Sequence, residues 1–401
     1  MRILQISNKA PYPANDGSSI AICNLAEGLA DNGIDLHLLS INTKKHFKPD
    51  EQIPSEFKTR THYQSVYRDT NTSALGALLN LFSSQSYFVS RFYFKDFKNA
   101  LISKLQSQSF DFVQLEGVFM ATYIPIIRKY TDAKIVLRTH NVEHQIWERH
   151  VKHEKNRAKK MYLSLQNKRL KQFELNSFNS VNAIVTITDE DKKNISGISQ
   201  NKNLYTCLTG INLSTYTVVS RPEKPNTIFH FASMDWMPNI EAVDWLMNEV
   251  WPKVIAKQQN VKLVLAGREM PDKFKALASN HIEIIEQVAS SPQFYNTYDI
   301  MLVPLWSGSG LRIKLVEGLA YGKAIITTSI GAEGVPYTNQ QNLIVSDDAD
   351  SFAEAIIQLL ENTSLKLSLQ QNARLLAEQH FDYKKIAADL LLFYKAFIAA
   401  K

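Results

Sequence analysis

The stretch from Tyr298 to Pro336, YDIMLVPLWSGSGLRIKLVEGLAYGKAIITTSIGAEGVP, constrains the fold more than any other part of this chain. Its opening apolar run, Ile300 to Leu305, has the length of a buried strand. A turn of small residues follows, Ser307-Gly308-Ser309-Gly310. Leu311, Leu315, Gly318 and Leu319 then recur at three- and four-residue steps, which predicts a helix. Gly322 stops that helix, and Ala324 to Thr328 reads as the next strand. The whole is a βαβ unit, so the sheet is expected to be parallel.

A glycine-serine turn at a helix N-terminus suits phosphate. The first N–H groups of a helix have no intrahelical acceptor, and the helix dipole places partial positive charge there. Arg312 and Lys314 add full charges beside it. Glu317 follows Gly310 by seven residues. About 700° of turn therefore returns it to nearly the same face, about 10 Å further along at ~1.5 Å rise per residue. That is the reach of a diphosphate plus part of a sugar, whose hydroxyls a carboxylate accepts well. Spacing alone accommodates equally a helix residue paired with Lys314.

The chain has 401 residues, 45% hydrophobic and 21% charged, enough for two or three globular domains. Cys23 and Cys207 form neither a ligand cluster nor a disulfide framework, which suits a reducing compartment. Met1 to Ile6 is too soon interrupted to read as a signal peptide, and no apolar run has membrane-spanning length. A cytoplasmic protein is expected. The net charge of +6 favours anionic partners without choosing among nucleotides, a membrane surface and nucleic acid.

Taken in order, Ile3 to Ile6 predicts a first strand and Ser7 to Asn15 a loop. Gly17-Ser18-Ser19 leads into a helix over Ile20–Asp31, and Asp35–Ile41 is the second strand. The loop is too long for a dinucleotide fingerprint, and G-x-G-x-x-G is absent. Gly17 permits close approach of backbone to a substrate; Ser18 or Ser19 equally suits a helix cap. Ser73 to Phe97, rich in Leu, Phe and Tyr, reads as core helix; its aromatics beside Arg91 and Lys95 are also compatible with an acceptor groove or a membrane-facing lip. Strands are expected at Phe110–Gln114 and Lys134–Leu137. The second delivers Arg138-Thr139-His140-Asn141 at its carboxyl end, where open α/β sheets bind their ligands. His140 also begins H-N-V-E-H, a zinc-peptidase pattern. That chemistry needs both histidines on one helix face, and His140 comes straight off a strand. No metal is expected, and His144 is read as a surface residue. Gln145 to Asn176 predicts one long basic helix, a solvated face or a surface for polyanions or membrane. A proline-containing linker, 214–226, precedes a second α/β series.

Two Rossmann-like halves, the loop PYPANDGSS, His140, the degenerate turn LTGIN, the stretch FASMDWMPNIEAV and above all GSGLRIKLVEGLAYGKAIITT with GAEGV behind it resemble glycosyltransferase family 4, glycosyl transferases group 1. The resemblance covers nearly the whole chain. It implies the GT-B architecture: α/β, two Rossmann-like domains with parallel sheets facing a central cleft. These would be an acceptor-side domain over 1–213 and a nucleotide-sugar donor domain over 227–382. A C-terminal helix over 383–401 would return toward the first domain. It further implies a glycosyltransferase moving a hexosyl-type sugar from a nucleotide-diphospho-sugar to a glycan or lipid-linked acceptor in envelope polysaccharide synthesis. The family usually retains anomeric configuration and needs neither metal nor cofactor.

By that resemblance His140 faces the transferred sugar and Glu317 holds the ribose hydroxyls; these two are the expected catalytic pair. Gly17 and Ser18 approach the phosphates. Gly308, Ser309, Gly310 and Leu311 take the diphosphate on backbone N–H groups, and the base lies near Val288. The family's E-x7-E pattern departs at its first position, where Ser309 stands. The arginine and lysine usual after the first strand of the second half are also missing, so Arg312 and Lys314, with Arg268, are expected to supply the charge. The alternatives are a nucleotide-sugar epimerase of the same fold and a degenerate binding or scaffold protein. A nucleic-acid partner is not expected; contact with the inner face of an anionic membrane is compatible with the basic helix.

Overall fold

A computed structural model describes residues 1–399 apart from 15, 45–46, 72, 220–223, 225 and 309. The turn residue Ser309 and residues 220–223 and 225 of the expected linker therefore lie outside the described residues. The chain divides into two compact units, Met1–Gly210 with Tyr383–Lys401, and Ile211–Asp382.

The first unit is built on seven parallel strands: β1 (Arg2–Ser7), β2 (Asp35–Thr43), β3 (Gln64–Arg68), β4 (Phe112–Glu116), β5 (Lys134–Thr139), β6 (Ala183–Thr186) and β7 (Leu204–Thr206). Their order is β3-β2-β1-β4-β5-β6-β7. Alternate residues feed two cores. Leu4, Ile6, Val113, Leu115, Ile135 and Leu137 enter one; Ile3, Phe112, Val136, Ala183 and Val185 enter the other. Strands covered on both faces read as continuous apolar runs, which is why this sheet is parallel. The order reverses between β1 and β4, so loops at their carboxyl ends diverge and leave room for a ligand.

Four helices of this unit matter for function: α1 (Gly17–Asp31), α2 (Ala74–Asn80), α3 (Glu143–His153) and α4 (Arg157–Ser180). The sequence predicts one long helix where α3 and α4 stand. The break falls at Glu154–Asn156: the Asn156 side chain caps α4 by accepting the Lys159 N–H at 3.0 Å, and the Glu154 carboxylate takes the Lys159 ammonium at 2.6 Å. Likewise Ser73–Phe97 is not one core helix. α2 ends at Asn80, and Gln166 of α4 holds the following chain, accepting the Tyr87 N–H through its side chain at 2.7 Å. Phe88, Val89 and Phe92 are buried, whereas most leucines of α2 remain outside.

The second unit repeats the plan with β8 (Thr227–Phe231), β9 (Lys262–Ala266), β10 (Ile282–Ile285), β11 (Ile300–Val303), β12 (Ala324–Thr327) and β13 (Ile344–Val345). The order is β10-β9-β8-β11-β12-β13, all parallel, with the reversal between β8 and β11. Its helices α5 (Met237–Trp245), α6 (Ile313–Ala320) and α7 (Thr363–His380) pack over this sheet. β11 stops at Val303 because Pro304 has no N–H for the ladder. Gly318 lets α6 lie against β11; a Cβ there would come within 2.5 Å of the Met301 sulfur.

The last helix, α8 (Tyr383–Ala399), belongs to the first unit and packs on α1. Leu390, Leu391 and Tyr394 join Cys23, Ala26 and Leu29 in one core. The approach depends on Gly28, where a Cβ would meet the Tyr383 carbonyl oxygen at 2.6 Å. Gly28→Val is expected to destabilise the first unit by about 1–3 kcal/mol through overpacking, measured by denaturant unfolding followed by circular dichroism. An unchanged midpoint would mean that α8 docks without this contact.

Candidate active site

The first cluster grows from the reversal point of the first sheet. β4 ends in Glu116, which is fully buried. Its carboxylate accepts from Gln5 Nε2 at 2.7 Å, Gln114 Nε2 at 2.5 Å, Arg138 at 3.1 Å and His140 Nε2 at 2.6 Å. Burial alone would raise its pKa, but the Arg138 charge and the His140 bond overcome that and hold it at about 2. Arg138 also donates to the Ala21 carbonyl of α1 at 3.1 Å. A charge so enclosed is stable only because every oxygen is occupied.

This carboxylate decides the state of His140. Burial lowers the imidazole pKa, outweighing the pull of Glu116, so the ring is neutral at pH 7. An ionised Glu116 can only accept, which places the proton on Nε2. Nδ1 then carries a lone pair, and it lies 3.0 Å from Ser18 Oγ. Ser18 is in the first turn of α1, beside Gly17. The cap of α1 is Asp16 rather than either serine: its carboxylate accepts the N–H groups of Ser18 and Ser19, both at 3.1 Å. Lys9 holds Asp16 at 2.5 Å. With Asp16 capping, the Ser18 hydroxyl is left to face His140.

The second cluster sits at the reversal point of the second sheet. After β11 the chain turns through Gly308 and Gly310, with φ of 112° and 81°. Both lie where a side chain is strained, which is why glycines stand there. The helix expected from Leu311 begins at Ile313, because Gly310 and the extended Arg312 (ψ 99°) hold the preceding residues out of helical geometry. The first-turn N–H groups are thus those of Ile313 and Lys314, not Gly310 and Leu311. Arg312 turns back on the loop: its guanidinium donates to the Gly310 carbonyl at 2.8 Å, lies 3.6 Å from Glu333 and stacks over Trp236 at 5.6 Å.

Lys314 and Glu317 share a face of α6 one turn apart. Lys314 Nζ donates to Asn239 Oδ1 at 2.6 Å, and Asn239 in α5 is fixed in turn by donating to the Ser233 carbonyl at 2.6 Å. Burial, assisted by the Arg312 charge, brings the Lys314 ammonium down to about 7. Burial likewise raises the Glu317 carboxyl to about 7, against the pull of the Tyr216 hydroxyl, which donates to it at 3.4 Å. Both groups therefore titrate near neutral pH.

The expected site residues thus fall into two groups, Gly17, Ser18 and His140 in one unit, and Gly308, Gly310, Leu311, Arg312, Lys314 and Glu317 in the other. Val288 follows β10, three strands from β11 in the sheet order. Arg268 donates to Ser233 Oγ at 2.7 Å and is otherwise exposed. Sequence reasoning missed Glu116, Tyr216 and Asn239. An acid closing an apolar run was a legible signal for Glu116; Tyr216 offered none, standing in the stretch read as linker.

H-N-V-E-H is accounted for without metal ligation. His144 is buried, not a surface residue: Nδ1 bonds the Glu174 carboxylate at 2.5 Å, and that carboxylate also accepts the N–H groups of Glu143 and His144 that open α3. Among the described residues the one cluster spaced for a cation is Asp35, His37 and His62, at the start of β2 and away from these groups. Cys23 and Cys207 are free and buried, and burial raises both thiols.

Residues 225–362 match the family profile described as "Glycosyl transferases group 1". The chain is 23% identical to an uncharacterized 44.6 kDa protein in the cps region of Klebsiella pneumoniae, over 97% of this chain and 98% of that one. It is 25% identical to phosphatidyl-myo-inositol mannosyltransferase of Mycolicibacterium smegmatis over 36% of this chain and 39% of that one. Sucrose-phosphate synthase from Thermosynechococcus elongatus superposes with a TM-score of 0.72 at 15% identity, covering 100% of both chains. HepE from Anabaena, solved in complex with UDP, superposes with a TM-score of 0.67 at 14% identity over 99% of this chain and 100% of that one. The fold is that of the GT-B enzymes.

Proposed function

We propose that this chain, a glycosyltransferase of the GT-B fold, moves a hexosyl-type sugar from a nucleotide-diphospho-sugar to a glycan or lipid-linked acceptor in polysaccharide synthesis. Lys314 carries the reading: a cation of lowered pKa at the first turn of α6, one turn from a carboxylate, at the point where the strand order reverses. A diphosphate seated there receives the α6 N–H groups, the positive end of the helix dipole and the ammonium of Lys314. Arg312 shapes the turn that admits it. Glu317 accepts from sugar hydroxyls of the nucleotide, and Tyr216 orients it. The acceptor hydroxyl bonds to the anomeric carbon as the bond to the diphosphate breaks. The nucleoside diphosphate leaves with the electron pair and takes up the proton of the acceptor hydroxyl, its charge stabilised by the same positive groups, so the reading needs no metal. His140, neutral and directed through Glu116, and the Ser18 hydroxyl on its Nδ1 offer polar contacts to a sugar at the carboxyl end of the first sheet. Retention of configuration belongs to the proposal and is read from the anomer of the first product by NMR. So does a place of work at the inner face of the cytoplasmic membrane.

The experiment is thermal stabilisation by UDP, GDP, dTDP and ADP, repeated on Glu317→Ala. HepE makes UDP the first choice. A ligand at one hundred times its Kd stabilises by about 2.7 kcal/mol, which raises the Tm by roughly 5 °C or more. One nucleotide shifting the wild type and not the variant supports the site. No shift with any of the four, on folded protein, favours a scaffold without turnover.

A further inference from the structure

The leucines of α2 are on the wrong side for a core helix. Leu75, Leu78 and Leu79 of α2, at i, i+3 and i+4, and Phe82 in the turn that follows are 66, 57, 61 and 91% exposed. The leucines share one face of the helix, and Phe82 extends the apolar surface past its end. The opposite face is already filled: Gly76 lies against the Tyr87 hydroxyl, and Ala77 lines a cavity of ≈ 380 Å³ with Phe88, Trp147 and Tyr162. The helix therefore cannot roll to bury its leucines without driving them into Tyr87. Single exposed leucines need no explanation, but an apolar surface of four such side chains does.

The stripe is fastened to the basic helix. Arg169 of α4 donates to the Asn80 and Leu81 carbonyls at 3.0 and 3.1 Å, and Gln166 donates to Asn80 Oδ1 at 3.0 Å. Along the same face of α4, one and two turns before Arg169, stand Leu165 and Met161, 38 and 75% exposed. Between Arg157 and Ser180 the chain has six lysines or arginines and one acid, Glu174. Glu174 is buried under α3, and Lys159 is paired with Glu154 at 2.6 Å, so the remaining five carry the positive charge of this helix.

We propose that the α2 stripe and the adjoining face of α4 dock on an anionic bilayer, the leucines and Phe82 entering the headgroup boundary while the α4 cations meet lipid phosphates. Apolar insertion and cationic attraction are the two terms that hold an interfacial helix, and here both lie on adjoining elements. Charge decides against a second copy of this chain: pairing the stripe with itself would bring two basic helices together. The proposal rests on the membrane location included in the proposed function and names the surface that would serve it.

Co-sedimentation with vesicles of phosphatidylcholine alone and with one third phosphatidylglycerol tests it, on the whole chain and on Leu78→Glu/Phe82→Ser. Both positions are exposed, so folding is undisturbed, and retained thermal stabilisation by the nucleotide checks this. The expected result is sedimentation of the wild type with anionic vesicles only, reduced at least about tenfold in the variant. A salt-sensitive loss in Arg157→Glu/Lys168→Glu would accompany it. No sedimentation, or equal sedimentation with both vesicle types, overturns the proposal. So does a wild-type dimer by light scattering that the variant abolishes. Loss of nucleotide binding alongside intact vesicle binding would sink the donor site and leave this surface standing.

Discussion

Lys314→Met is expected to weaken nucleotide-sugar binding by roughly tenfold to a hundredfold, the worth of a charge-assisted bond of about 1.5–3 kcal/mol to phosphate. The larger signature is in pH. In the free protein Lys314 titrates at about 7. A bound diphosphate favours the ammonium and raises that value, so above pH 7 binding takes up a proton and affinity falls as pH rises, by up to about tenfold per unit. Glu317, also at about 7, works in the opposite sense. Sugar hydroxyls bond best to the carboxylate, so below pH 7 binding releases a proton and affinity falls with pH. Affinity should therefore peak near pH 7. A nucleotide sugar, whose diphosphate has no protonation step in this range, isolates the protein groups. Calorimetry in buffers of different ionisation enthalpy should show the alkaline limb flattened in Lys314→Met and the acid limb flattened in Glu317→Gln. A flat wild-type profile from pH 6 to 9 would remove both assignments.

Glu116→Ala should give the largest loss of stability, about 3–5 kcal/mol, because it leaves the Arg138 guanidinium buried without its carboxylate. The acid limb of wild-type stability reports the same group. Glu116 has a folded pKa of about 2, below the usual carboxylate value. Its contribution is full above about 4.5 and is lost as pH falls toward 2. His140, depressed by burial, acts in the same direction from about 6.5 downward. Urea unfolding between pH 7 and 3 should therefore show a falling midpoint in the wild type and a shallower fall in Glu116→Ala. Equal slopes in the two proteins would mean that other carboxylates dominate. Glu116→Gln keeps an acceptor for the His140 Nε2–H and should retain more transferase activity than Glu116→Ala at matched folded fraction, separating the positioning of His140 from the stability of the sheet.

How much was legible in the sequence can be judged residue by residue. The apolar runs at Ile3, Phe112, Lys134–Thr139 and Ile300 marked buried parallel strands because a strand covered on both faces must be apolar throughout. β3 was missed because it is a half-exposed edge strand, and Gln64–Arg68 carries no such run. The turn before α6 was legible from its glycines, since few other residues tolerate the backbone they adopt. Its helix boundary was not: periodicity counts Leu311 with Leu315, whereas Gly310 and Arg312 hold the chain out of helix until Ile313.

By itself, then, the sequence determined two α/β halves, a phosphate-suited turn and the candidates His140 and Glu317, all through local rules of periodicity and backbone freedom. Tertiary structure alone decided the protonation of those candidates, because pKa follows from burial and from partners distant in the chain, Glu116 for His140 and Tyr216 for Glu317, with burial and the Arg312 charge setting that of Lys314. It also decided that the leucines of α2 face outward. Amphipathic spacing says that a helix has an apolar face, and only its neighbours, here Gly76 against Tyr87 and Arg169 against Leu81, say where that face points.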